Sequence, residues 1–251
     1  MKDTTKTRWL PLAAVGFGIA ALILRRLLYA AAMDNMGLLT ANHPLEIALW
    51  AVVLTGAVLL LSAVQKMQGS WEYENNFTAS TASFLGHALM GCAILTMVMQ
   101  GTFPLPGPIA VIWKVLGFAA APAMLWAGIC RKKGQKPFFG IHAATCLFLL
   151  RYLVSQYQTW SGNPQLQDYI FDLLAMVALI LFSYHCAAFE SGMGKRRMQL
   201  AAGLMSILLC GVALSGGETP MLYAGGVAWA ASDLCRLSLS KEVGVDIHDP
   251  S

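Results

Sequence analysis

Charge is scarce in this chain. Asp, Glu, Lys and Arg make up 12% of its 251 residues while 57% are hydrophobic, against roughly 25% charged in soluble domains. So small a polar complement cannot cover a water-soluble domain, and that class is excluded. Lys and Arg are missing altogether from the segments 33–43, 101–107, 160–167 and 216–218. No C-x-x-C pair occurs among the six cysteines (Cys92, Cys130, Cys146, Cys186, Cys210, Cys235). They read as reduced, small packing residues rather than a redox or metal motif. Also absent are H-E-x-x-H, a phosphate-binding glycine loop, a nucleophile elbow and a dinucleotide fingerprint. The common signatures of zinc peptidases, nucleotide-binding proteins and serine hydrolases are therefore missing.

What the chain has is apolar length. A bilayer core of about 30 Å needs about 20 apolar residues per helix. Eight such runs are present, at about 9–32, 44–64, 80–100, 108–130, 138–159, 168–190, 198–215 and 219–235. Each must be helical, because a spanning segment has to satisfy its own backbone hydrogen bonds. The reading is an all-α integral membrane protein, one polytopic bundle of about eight transmembrane helices over residues 1–251.

The basic residues orient it. Lys2, Lys6 and Arg8 precede the first run, and Lys66 follows the second. Arg131, Lys132, Lys133 and Lys136 follow the fourth, Lys195, Arg196 and Arg197 the sixth, and Arg236 and Lys241 the eighth. The alternate gaps are the four that hold none. Cytoplasmic loops keep Lys and Arg, so both termini are expected in the cytoplasm of a multi-pass, bacterial-type inner-membrane protein. The net charge of +4 is then topological, and no nucleic-acid partner is expected. Arg25 and Arg26 before Ala30-Ala31-Ala32 read the first run as an uncleaved anchor, not a signal peptide. The Asn76-Phe77-Thr78 sequon falls in a cytoplasmic gap and carries no weight.

Ionisable residues inside the runs are the functional candidates, since each costs something like 2.5–3.5 kcal/mol at a helix centre unless paired or wetted. At about 1.5 Å per residue they form two layers. The outer layer holds Arg25, Arg26, Lys114, Arg151, Glu46 and Asp172; the inner holds His87, His142, His185, Glu190 and Asp233. Helical spacing joins Asp168, Asp172, Met176, Leu179, Ser183, Cys186 and Glu190 into one stripe of run 6. Ala14, Gly18, Ala21 and Arg25 share a face, as do Lys114, Gly117 and Ala121, and Gly226, Ala230 and Asp233. Small residues let membrane helices approach closely, so these charges are expected to face the bundle.

Ser83-x-x-x-His87 resembles part of the zinc site of seven-helix hydrolases of the alkaline ceramidase and adipose-receptor type, whose paired histidines on the last span this chain lacks. Gly225 to Asp233 resembles a stretch of the lysoplasmalogenase-like eight-span family. Neither resemblance extends further, and no family is assigned. The histidines are expected to make interhelical hydrogen bonds, with neither metal nor another cofactor implied.

The leading expectation is binding or transport of a small anionic or zwitterionic solute, or a lipid head group, at an outer-leaflet polar pocket. Its expected ligand-binding residues are Arg25, Arg26, Lys114, Arg151 and Asp172, with Arg151 and Asp172 as its floor. Structural ion pairs and snorkelling arginines are the alternative for that layer. An embedded hydrolase using the inner His and acid layer, and an accessory subunit of a membrane complex, are the alternatives for the whole chain.

Overall fold

The computed structural model describes residues 4–32, 43–65, 77, 79–101, 108–161, 169–216 and 219–235. These form eight helices: α1 Thr4–Ala32, α2 Pro44–Gln65, α3 Thr81–Gln100, α4 Pro108–Lys133, α5 Gly140–Trp160, α6 Ile170–Glu190, α7 Arg196–Ala213 and α8 Pro220–Leu234. They match the eight apolar runs one for one. Asp34, Asp168 and the polar connector 66–76 lie outside the described residues.

Five helices are long and apolar enough to cross a membrane: α1 (from Trp9), α2, α3, α4 (from Ala110) and α6. The other three differ for a physical reason. Most of α7 is buried, including Gln199, Ser206, Leu208 and Gly211, so protein rather than lipid is its solvent. Helix α5 carries buried His142, Thr145, Ser155 and Gln156. Helix α8 has 15 residues and is about 22 Å long. Large side chains on the outer helices remain exposed, among them Ile19, Ile23, Val58, Leu89, Val111 and Val115. An apolar exterior of this kind suits lipid, not water.

Six helices close a ring, in which α3 packs on α4, α4 on α5, α5 on α6, α6 on α7, α7 on α8, and α8 back on α3. Helices α1 and α2 pack together on the outside of α7. Two short turns, α4 to α5 and α6 to α7, lie at the same end, where Lys132, Lys133, Lys136, Lys195 and Arg197 collect. We call this the basic end.

Glycine makes both turns possible. Gly134 (φ 68°) and Gly192 (φ 83°) adopt the left-handed conformation that L side chains avoid. Gln135 N donates to Cys130 O at 2.9 Å and Gly134 N to Arg131 O at 3.2 Å; Met193 N and Gly192 N repeat the pattern on Ala188 O and Phe189 O. Each is a Schellman closure that satisfies the last carbonyls of its helix. Arg131 and Glu190 are thereby held at the ends of α4 and α6.

Close approach explains the small-residue stripe of α1. A Cβ added at Gly211 of α7 would lie 2.8 Å from the Gly18 Cα, and backbone cannot swing aside. Gly211→Ala should therefore lower thermal stability by about 1–3 kcal/mol, the usual cost of overpacking. Gly16→Ala, where a Cβ would meet nothing within 4 Å, should leave it unchanged or raise it. Unfolding midpoints of the two variants in detergent check this, and equal shifts would contradict the packing argument.

Candidate functional site: two buried polar layers

The inner layer lies inside the ring near the basic end, and every ring helix contributes to it. His87 comes from α3, Arg131 from α4, His142 from α5, Glu190 from α6, Gln199 from α7, and Trp229 and Asp233 from α8; all are buried. His142 Nδ1 lies 2.7 Å from Glu190 Oε1, and His87 Nδ1 lies 3.8 Å from Asp233 Oδ1. Arg131 Nη2 is 3.7 Å from Asp233 Oδ2, and its guanidinium sits 3.6 Å over the Phe77 ring, a cation–π contact. Rings bind the layer together. Trp229 stacks nearly parallel on His142, at 5.6 Å and 9°, while His87 meets His142 edge-on at 5.6 Å. Gln199 Nε2 donates to Cys186 Sγ at 3.1 Å.

Hydrogen bonding assigns the tautomer of His87. Trp229 Nε1 donates to His87 Nε2 at 3.1 Å, and an indole nitrogen can only donate. Nε2 is thus the acceptor, and the ring proton sits on Nδ1, which donates to Ser83 O at 2.7 Å. His87 is a neutral imidazole with both nitrogens satisfied.

The outer layer lies at the opposite end. Arg25 Nη2 donates to Asp172 Oδ2 at 2.8 Å, with side-chain exposures of 2% and 0%. Arg25 also donates to Val212 O through Nη1 and to the Tyr29 hydroxyl through Nε, both at 3.2 Å. The Tyr223 hydroxyl borders the same carboxylate, and Tyr152 borders Tyr223. Tyr152 in turn accepts from Gln156 Nε2 at 2.6 Å and reaches Thr219 Oγ1 at 3.4 Å. On α6, Asp172 and Glu190 are 18 positions apart, about 27 Å. Buried Met176, Leu179 and Phe182 occupy the interval.

The structure sorts the residues expected from sequence. The run 6 stripe is buried from Asp172 to Glu190, and Ala14, Gly18, Ala21 and Arg25 line one buried face. Gly226, Ala230 and Asp233 do so on α8. Arg26 and Lys114 are exposed; Trp113, one step round the helix, takes the buried position instead. Asp172 takes Arg25 as its ion-pair partner where Arg151 was expected. The cause is helical phase: Tyr152, Ser155 and Gln156 hold the buried face of α5, and Arg151, about 100° from Tyr152, is half-buried. His87, His142, Glu190 and Asp233 converge, whereas His185 lies half-buried beside Tyr184, off the stripe that carries Cys186.

Three members of the inner layer were not singled out from sequence: Arg131, Gln199 and Trp229. Arg131 counted as a loop cation. Its signal was present, since Gly117, Ala121, Met124, Gly128 and Arg131 follow steps of four and three along one face. Among the described residues, no group of three or more His, Cys, Asp or Glu is arranged to hold a metal ion. Compared with known protein families, curated protein sequences and solved structures, the chain shows no match.

Proposed function

We propose that the chain is an eight-span inner-membrane protein, both termini cytoplasmic, that binds or transports a small anionic or zwitterionic solute or lipid head group. One observation carries this reading. Arg25 is a buried cation neutralised by Asp172, and Asp172 Oδ1 has no hydrogen-bond partner among the described residues. Ions kept inside spanning segments mark ligand and ion pathways. A solute carboxylate or phosphate replaces Asp172 at the guanidinium, and the displaced carboxylate is then free to receive an ammonium group. Tyr29, Tyr223, Tyr152 and Gln156 supply neutral polar contacts beside the pair. In this reading Arg25 and Asp172 form the core of the site, and exposed Arg26 and Lys114 and half-buried Arg151 attract anions to that end of the bundle.

The test is ligand-induced stabilisation of the purified protein in detergent. The panel is amino acids, simple carboxylates, phosphocholine and phosphoethanolamine. A genuine ligand at about 100 times its Kd adds about 2.7 kcal/mol. The paired variant Arg25→Gln/Asp172→Asn should fold and lose that gain. Equal stabilisation of this variant, or no stabilisation of the wild type by any member, would overturn the assignment.

A further inference from the structure

The inner layer holds two histidines in the same ring of helices, and their surroundings differ in kind. We infer that the His142–Glu190 pair is a proton-binding site, taking up and releasing a single proton at the basic end of the bundle. The inference does not rest on the outer solute site.

Both side chains are fully buried. Their 2.7 Å contact runs off the direction of a ring N–H, so neither nitrogen of His142 nor either oxygen of Glu190 completes a hydrogen bond. Buried polar atoms are seldom left so, because each unmet group retains its desolvation cost. A proton on His142 turns the contact into an imidazolium–carboxylate ion pair, whose attraction at 2.7 Å does not depend on an N–H aimed at the oxygen. Whichever nitrogen carries the proton of the neutral ring, the other has an open lone pair. An N–H bond forms there, and the carboxylate and imidazolium become an ion pair. The proton comes from water and returns to it, with no other bond broken.

Three further features favour the protonated pair. Glu190 closes α6, where its carboxylate faces the negative end of the helix dipole. Among the described ion pairs His142 is the basic partner of Glu190, while Arg131 is engaged with Asp233 and Phe77. The Trp229 ring, parallel to His142 at 5.6 Å, presents its face to the imidazolium, within the range of a cation–π contact.

The other titratable or charged groups around the pair are His87 of α3, Cys130 and Arg131 of α4, Cys186 of α6 and Asp233 of α8. Buried Arg196 opens α7 at the same end. The cations Arg131 and Arg196 oppose a proton on His142; Asp233 offsets Arg131, and Glu190 at 2.7 Å favours the proton. His87 is closed to a second proton, because the Trp229 N–H occupies its remaining lone pair. The same indole thus blocks one imidazole and supports the other.

The experiment is 15N NMR of histidine-labelled full-length protein in nanodiscs. The chain has five histidines, and His43→Gln/His185→Gln/His248→Gln leaves His87 and His142. As the pH is lowered, one ring should pass from neutral to imidazolium. The other should keep the Nδ1–H tautomer throughout. His142→Gln should remove the moving signal, and Glu190→Gln should shift its midpoint to lower pH. Trp229→Phe should make the second ring titrate as well. Two rings neutral throughout, two rings charged throughout, or a moving signal lost on His87→Gln would each overturn the site. Should any of these substitutions prevent folding, the triple variant alone still decides, because the tautomer signature identifies His87.

Discussion

Arg25→Ala is expected to destabilise the protein by about 3–5 kcal/mol, the usual cost of leaving one member of a buried ion pair uncompensated. Asp172 would then be a carboxylate with 0% exposure that has lost its paired cation and keeps the Tyr223 hydroxyl beside it. Adding Asp172→Ala should restore most of the loss, because it removes the orphaned charge. The order of effects matters: the double variant should be more stable than Arg25→Ala alone. Arg151→Ala leaves the pair intact and should cost less than Arg25→Ala. Thermal unfolding of the four proteins in one detergent, read by loss of the monodisperse species, checks the ranking. A double variant no more stable than Arg25→Ala would show that the Arg25 guanidinium acts through Val212 O and Tyr29 rather than through Asp172.

An all-or-none result is expected for topology. A periplasm-active reporter fused after Lys136 or after Arg197 should be silent, and the same reporter after Asn163 should be active. The expectation follows from the clustering of Lys132, Lys133, Lys136, Lys195 and Arg197 at one end of the helix ring, the end that stays cytoplasmic when basic residues resist translocation. The structure makes the test stricter than loop charge alone. The α4–α5 and α6–α7 turns close the same end of the bundle, so signals from Lys136 and Arg197 must agree. An active reporter at Lys136 would invert the scheme, and disagreement between the two sites would break it. In that topology the inferred proton site lies near the cytoplasmic end of the bundle, because Glu190 and Arg131 stand in the last turns of the helices that enter these two turns.

The solute site and the proton site lie in different layers. Loss of the Arg25–Asp172 pair probes the outer half of the bundle and leaves the His142–Glu190 pair, about 27 Å away along α6, in place. Failure of solute binding would therefore leave the inner site standing, and the reverse also holds.

The sequence by itself determined the class of the molecule, the number of helices and the buried faces of α1, α6 and α8. Apolar length, the spacing of Lys and Arg, and small residues at steps of three and four are local signals, and the helix is a local structure. That is why the Asp172 to Glu190 stripe and the Ala14 to Arg25 face emerge as read. Only the tertiary structure decided partners. Arg25 and Asp172 are 147 positions apart and His87 and Trp229 are 142 apart, and no periodicity within a helix encodes which faces will meet. Chain order suggested α5 as the source of the cation for Asp172, but α1 packs against α7 and delivers Arg25 instead. The same closure of the six-helix ring brought Arg131, a residue at a helix end among other loop cations, into the centre of a buried polar layer. Neutral His87 and open His142 are alike in sequence; the indole of Trp229, placed by the packing of α8 on α3, distinguishes them.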